Sequence, residues 1–379
     1  MSQAFDVCIR GAGIVGRSLA LLLAQLRLRV ALVQAPVNRA VDVRAYALNA
    51  ASRQLLESLR CWPGDAAVGA VRQMRVWGDA GGELTFGPLP APDDALAWIV
   101  DVPALEATLS QALQFAPQVT LTATPQLASL TVVCEGQASH SRAEFGVEFD
   151  AVPYGQHAVA ARLACENPHQ GTALQWFAQG EVLALLPLPA GESAQAGNSV
   201  ALVWSVREDH AKQLCDASPE DFLAQLQAAS QVQGQAALGS LQLLTERVRW
   251  PLQHAAARRW VGQSANGAWA LCGDAAHAVH PLAGQGLNLG LADAAGLAQV
   301  LAARHGADYW RAVGDEKLLR RYERARRAAL APAATLMDGL QGLFAHPGTA
   351  VQRLRNLGLQ GFERSGPLKD WVRRQAMGV

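Results

Sequence analysis

Phe5-Asp6-Val7-Cys8-Ile9, followed by Gly11-Ala12-Gly13-Ile14-Val15-Gly16 and an Ala- and Leu-rich run to Leu26, decides how the rest of the chain is read. A short, mostly apolar run closed by glycine reads as a strand. Residues 14–26 then read as a helix and residues 29–33 as a second strand. Strand, glycine turn, helix and strand follow within about 30 residues, the context in which a G-x-G-x-x-G pattern carries meaning. Backbone N–H groups at such a helix start point at a pyrophosphate, and the helix dipole favours its charge. Glycines let the backbone approach the ligand closely. Gly11, Gly13 and Gly16 are therefore candidate dinucleotide-binding residues. With 34 glycines in 379 residues the pattern arises by chance, so its place between strand and helix gives it weight. The alternative is a tight turn with no ligand. An acidic residue is expected at the end of the second strand to accept from ribose hydroxyls. This chain has Gln34 there, which accepts through its carbonyl without the charge-assisted component.

Working outward, the length suits two domains or one large domain with an insertion. Half of the residues are hydrophobic and 17% are charged, which supports a sizeable core and argues against disorder. Lys+Arg and Asp+Glu are both 32, and this balance argues against a dedicated nucleic-acid binder. The apolar stretch 11–26 contains Arg17 and follows a strand, so it reads as neither signal peptide nor anchor, and a cytoplasmic location is expected. The six cysteines are scattered with no C-x-x-C pair, which fits buried thiols rather than a disulfide frame or zinc site.

Helices are expected over 49–59 and over 103–115, the latter capped by Asp101. Residues 71–89 are strand-rich, with a turn at Gly81-Gly82. Between 143 and 245 short strands (158–163, 182–186, 199–204) are interrupted by one helix over 219–230. From about Tyr309 the chain reads as helical, with Pro332 and Pro347 as breaks.

The second informative motif is Cys272-Gly273-Asp274-Ala275-Ala276-His277, continuing to Gly290. It follows an apolar strand and opens a helix over 288–303. Asp274, at a strand end, can hold a sugar-alcohol hydroxyl. The turn from Gly284 to Asn288 sets a helix N-terminus beside whatever binds, suited to a flavin ring that gains negative charge on reduction. His277 and His280 read either as general bases or as structural residues; no third ligand is spaced to make them a metal pair. Pro281 shapes the loop beside them.

At this point the chain resembles the FAD-dependent aromatic hydroxylases of ubiquinone biosynthesis, in the p-hydroxybenzoate hydroxylase fold group. The likeness is carried by Gly11 to Gly16, Asp42 to Asn49, Ile99-Val100-Asp101, Tyr154-Gly155-Gln156, Pro168-His169, Leu183 to Leu188, Val203-Trp204-Ser205, Gly273 to Gly290, and Arg353 to Asn356. The resemblance implies an α/β (α+β) fold: a Rossmann-like FAD-binding domain with a parallel sheet, an antiparallel-sheet substrate domain and a helical C-terminal tail. Residues 1–70, 96–150 and 246–305 are expected in the first, 71–95 and 151–245 in the second, and 306–379 in the tail.

It further implies FAD, with Gly11, Gly13 and Gly16 at the pyrophosphate, Gln34 at the ribose and Asp274 at the ribityl chain. The backbone of Gly286, Leu287 and Asn288 would lie at the isoalloxazine, with Gly284 counted among the cofactor-binding residues; His277, His280 and Pro281 are the candidate catalytic residues. Arg44 would reach the flavin side; the alternative is a surface pair with Asp42. The implied reaction is hydroxylation of a polyprenylated phenol by O2 through a flavin hydroperoxide, with NAD(P)H or another protein as electron donor. A lipid substrate also suggests peripheral contact with the inner membrane and a complex with other proteins of the pathway. The basic, apolar segment 351–359 reads either as that contact or as a docked helix. The chain departs from the family at Gln34, at Glu135-Gly136 where an Asp-Gly is expected, and in a shortened segment before Glu135. These departures keep two other readings open: a non-catalytic member that binds a lipid or partner, and a flavin oxidoreductase acting on another small aromatic.

Overall fold

The computed structural model describes residues 5–34, 43–78, 82–87, 95–189, 198–232, 234–278, 285–306 and 308–345, the stretch 331–345 as backbone alone. The opening strand, Phe5–Arg10, sits inside a six-stranded sheet ordered Val261–Ser264, Gly267–Leu271, Ala128–Val133, Phe5–Arg10, Val30–Val33, Val119–Thr122. Four of its five pairings are parallel; the Val261–Ser264 edge is antiparallel. Strands covered on both faces read as continuous apolar runs, as Val7, Cys8 and Ile9 do, all fully buried. The helix Ile14–Gln25 packs on this sheet, as the motif predicts. The stretch Gly286–His305, most of it in the helix Gln285–Ala302, is long and apolar enough to cross a membrane by length and composition. Leu291, Ala294, Leu297 and Leu301 are instead buried in the core, so it is the central helix of the domain.

A second, nine-stranded sheet follows the order His277–Ala278, Val248–Ala257, Phe149–Cys165, Ser199–Arg207, Glu181–Pro187, Thr172–Ala178, Gln73–Trp77, Glu83–Phe86, with Leu241–Leu243 also joined to Phe149–Cys165. It is antiparallel except where Thr172–Ala178 meets Gln73–Trp77. Residues 248–257, expected within the first domain over 246–305, thus pair with this second sheet. One face buries Val159, Leu174, Trp176, Leu183, Leu185, Leu202 and Trp204 against two helices, Glu208–Asp216 and Pro219–Ala229. Near one end, the other face sets Ala173, Ala201, Leu186 and Met74 on a small three-stranded sheet, Ala45–Leu48, Ala97–Asp101 and Val68–Val71.

The expected helices appear as Ala50–Ser58, Val102–Gln114 and Pro219–Ala229. Asn49, Asp101 and Ser218 cap them through side-chain bonds to the N–H of Ser52, Ala104 and Asp221. Two features differ from expectation. The helix Glu208–Asp216 has no sequence counterpart above, because only Ala211 and Leu214 of its residues are buried and the apolar stripe is too thin to read. Pro332 does not break the tail: the helix Glu316–Ala345 runs through it. One proline removes a single helical hydrogen bond, and thirty residues propagate past that loss. Pro347 lies outside the described residues.

The tail helix is tied to the parallel sheet by Tyr322, fully buried, whose hydroxyl donates to Leu271 O at 2.9 Å. Burial also holds that phenol protonated, with its pKa well above the usual value. Tyr322→Phe keeps the ring and strands the carbonyl. It should lower the unfolding free energy by about 1–2 kcal/mol, read from urea titration followed by circular dichroism.

Candidate functional site

The turn Gly11 to Gly16 joins the opening strand to the helix Ile14–Gln25 at the carboxyl end of the parallel sheet. Gly11 has φ +105°, and a Cβ there would lie 2.5 Å from Cys134 O. A Cβ on Gly16 would lie 1.9 Å from Gly11 O. Both positions accept glycine alone, and they press the turn onto the end of the strand Ala128–Val133. Gly13 differs: it is exposed and a Cβ there meets nothing within 4 Å. Gly13 is the N-cap, no side chain caps the helix, and its first turn carries no acidic residue. The helix thus starts beside open space at Gly13 with no acidic residue in its own first turn, which fits a pyrophosphate. Gln34 is exposed at the end of Val30–Val33, with its backbone N–H held by Thr122 O at 2.9 Å.

Asp274 follows Gly273, which has φ +64°. Gly273 and Gly290 let this turn meet the helix Gln285–Ala302: a Cβ on Gly290 would lie 2.8 Å from Val15 Cγ2 and 3.4 Å from Gly273 Cα. Burial pushes the Asp274 carboxyl pKa up, against the lowering influence of His277, Gln137 and Arg44. Arg44 is exposed and its charge is felt at Asp274; Asp42, its alternative partner, lies outside the described residues. A Cβ on Gly286 would lie 4.0 Å from Asp274 Oδ1, so the helix start and this carboxylate share one corner. Leu287 points into the core. Asn288 is a strut: its Oδ1 accepts from Asn49 N at 3.0 Å and Ser52 Oγ at 2.7 Å, and its Nδ2 donates to Ala47 O at 2.8 Å.

His277 is almost fully buried, stacked on Trp260 with ring centroids 5.0 Å apart. Its Nε2 lies 2.7 Å from Asp293 Oδ2. The same oxygen accepts from Gly273 N at 2.9 Å, and Oδ1 accepts from Arg326 Nε at 2.6 Å. Burial would raise the Asp293 carboxyl pKa, but His277 and Arg326 outweigh it and hold it below the usual range. This arrangement gives His277 a positioning part in holding the Gly273 turn. His280, Pro281 and Gly284 lie outside the described residues.

Asp293 and Arg326 were not among the candidates read from sequence. The available signal was that Asp293 is the one charged residue in an otherwise apolar helix. Arg142, also missed, donates to Ala275 O at 3.1 Å and to Gln137 O, fastening the Asp274 turn to the segment after Glu135. Glu135 itself accepts from Ser139 Oγ and Ser141 Oγ, each at 2.7 Å. Burial raises its carboxyl pKa, and those bonds together with Arg10 more than reverse the shift. The five buried cysteines and the half-buried Cys215 are free thiols, and no metal-binding cluster occurs among the described residues.

The family model described as an FAD binding domain matches residues 118–336. The ubiquinone hydroxylase UbiL of Rhodospirillum rubrum is 31% identical, over 99% of this chain and 90% of that protein. The 3-demethoxyubiquinol 3-hydroxylase of Escherichia coli is 30% identical over the full length of both. The solved structure of Pseudomonas aeruginosa PqsL in complex with 2-aminobenzoylacetate shares the fold, with a TM-score of 0.76 at 19% identity over 95% of this chain and all of that one.

Asp293→Asn retains the shape of the hub and removes its charge. It should weaken FAD binding about tenfold, measured by flavin fluorescence titration. A carboxylate with a depressed folded pKa stabilises above its unfolded value, and that contribution is lost as pH falls through the folded one. Urea midpoints of the native protein should therefore fall more steeply with acidification than those of Asp293→Asn.

Proposed function

The chain belongs to the FAD-dependent hydroxylases of ubiquinone biosynthesis, and from that premise we propose that it inserts one atom of O2 into the ring of a polyprenylated phenol. Bound FAD supplies the two-electron chemistry that activates O2; one oxygen replaces a ring hydrogen, the other leaves as water, and NAD(P)H supplies the electrons. The observation that carries the substrate reading is the unhelixed face of the substrate sheet. Val76, Phe177, Val182, Ala184 and Val203 point to that side and remain half-buried although they lie on interior strands. An apolar floor of this kind suits an aromatic ring carrying a hydrocarbon tail.

The chain's own residues bind, orient and exclude water. The Gly11–Gly16 turn would hold the pyrophosphate on the helix N-terminus, and Gln34 the ribose. Asp274 would take the ribityl hydroxyls, and the backbone of Gly286 to Asn288 the ring. Arg162, at the rim of the floor, pairs with Asp101 at 2.6 Å, and its Nε donates to Val43 O at 3.3 Å. It thereby fastens the strand bearing the floor to the segment that carries Arg44. His280 and Pro281 keep their proposed place near the reacting centre on sequence alone. Peripheral contact with the inner membrane, and association with other proteins of the pathway, would deliver so apolar a substrate.

The test is isotopic. FAD-loaded protein supplied with NAD(P)H, a short-chain prenylated phenol and 18O2 should give product carrying one 18O; flavin reduction without label in the product would favour an oxidoreductase acting on another aromatic. Asp274→Ala should leave the protein colourless after desalting, and full flavin retention would remove that residue from the site. Gln34→Glu should tighten FAD about fivefold by restoring a charge-assisted bond to the ribose, and an unchanged dissociation constant would exclude that contact.

A further inference from the structure

Strand register places a row of side chains across the open floor: Ala160 beside Val203, Val203 beside Ala184, Ala184 beside Gln175, and Gln175 beside Val76. The next row is Trp250, Ala158, Ser205, Val182 and Phe177. These ten side chains are apolar except for Gln175 and Ser205. Gln175 is only 7% exposed and Ser205 only 4%. Their chain neighbours Leu174, Trp176, Trp204 and Val206 point the opposite way, into the core beneath the two helices. Alternation along a strand thus fixes Gln175 and Ser205 on the floor side.

A buried amide normally finds a partner, because leaving one unpaired costs about 1–3 kcal/mol. Among the described residues no side-chain hydrogen bond is made by Gln175 or by Ser205. Their polar atoms are also not among those sealed from solvent without a partner, as Trp77 Nε1 and His157 Nδ1 are. The two groups therefore open onto the floor itself. A methionine or leucine would fill the Gln175 position without that cost, so the amide is matched to something that enters.

We propose that Gln175 is the residue that recognises the ring hydroxyl of the substrate, its Oε1 accepting from the phenol O–H, with Ser205 as a second polar contact two strands away. This rests on the hydroxylase reading above and gives the floor its polar address. The remaining small residues, Ala158, Ala160 and Ala184, leave room for the ring and tail. A site built to pair a hydroxyl rejects an analogue that lacks the donor, because its own polar group is then left unpaired.

The experiment uses FAD-loaded protein and two probes, a 2-alkylphenol and its O-methyl ether, titrated while the flavin absorption band is followed. The native protein should bind the phenol about tenfold more tightly than the ether. Gln175→Leu should bind both alike, with phenol affinity lowered to that of the ether and FAD affinity unchanged. Gln175→Met, a straight-chain replacement, provides the same reading where the leucine does not fold. Retention of the native phenol-to-ether ratio in the variant, or absence of any preference in the native protein, would overturn the assignment. The 18O2 measurement separates the two levels: label in the phenol with an unchanged ratio in the variant sinks this inference alone. A native protein that binds neither probe and incorporates no label sinks the hydroxylase reading with it.

Discussion

A single buried carboxylate, Asp293, sets the geometry of the turn that carries Asp274. It accepts from the backbone of Gly273 and from Arg326, and it pairs with His277, so three separate segments meet at two oxygen atoms. Burying a carboxylate is costly, and replacing such networks with apolar residues is often neutral for stability. The return is therefore in shape. Gly273 adopts a left-handed turn that directs Asp274 toward the helix start at Gly286, and the bond from Gly273 N to Asp293 fixes that turn. The tail helix joins the same hub through Arg326, so it braces that turn from outside it. His277, which the sequence offers as a candidate base, is tied into this network through Asp293 and stacked on Trp260.

The elements most legible in the sequence were those set by local rules. The glycine turn, the capped helices and the strand before Gly273 needed only neighbouring residues. Asp293 could have been found as a lone charge in an apolar helix. Other parts were out of reach because they join residues far apart in the chain. Asn288 bonds to Ser52 and Ala47, Arg162 to Asp101, and Arg142 to Ala275, and nothing in the local sequence around either partner announces the other. The placement of 248–257 in the second sheet is of the same kind. Its composition suits either sheet, and only pairing with Phe149–Cys165 decides.

The family departures are absorbed close to where they occur. The strands Val119–Thr122 and Ala128–Val133 follow each other with only a short link, yet both join the parallel sheet in register. Glu135 is longer than the residue it replaces, and its carboxylate folds back onto Ser139 and Ser141 beyond the left-handed Gly136. The extra methylene is thus spent within its own loop. Gln34 is exposed, so its change of charge affects what binds there rather than how the strand packs. None of the three disturbs the contacts of Gly11 and Gly16 with the backbone around them.

The nine-stranded sheet divides labour between its faces. On the helix side the residues are large, with Trp77, Trp176, Trp204, Phe222 and several leucines interlocked, and this side supplies the burial that holds the sheet together. On the floor side the same strands carry mostly smaller residues, alanine, valine and serine with Gln175, alongside Phe177 and Met74. Small residues there cost the sheet little, because burial on the other face already secures it. A pocket can therefore be opened over five strands without loosening their register. The amide of Gln175, without a side-chain partner among the described residues, is tolerable for the same reason: its cost falls on the face that contributes less to stability.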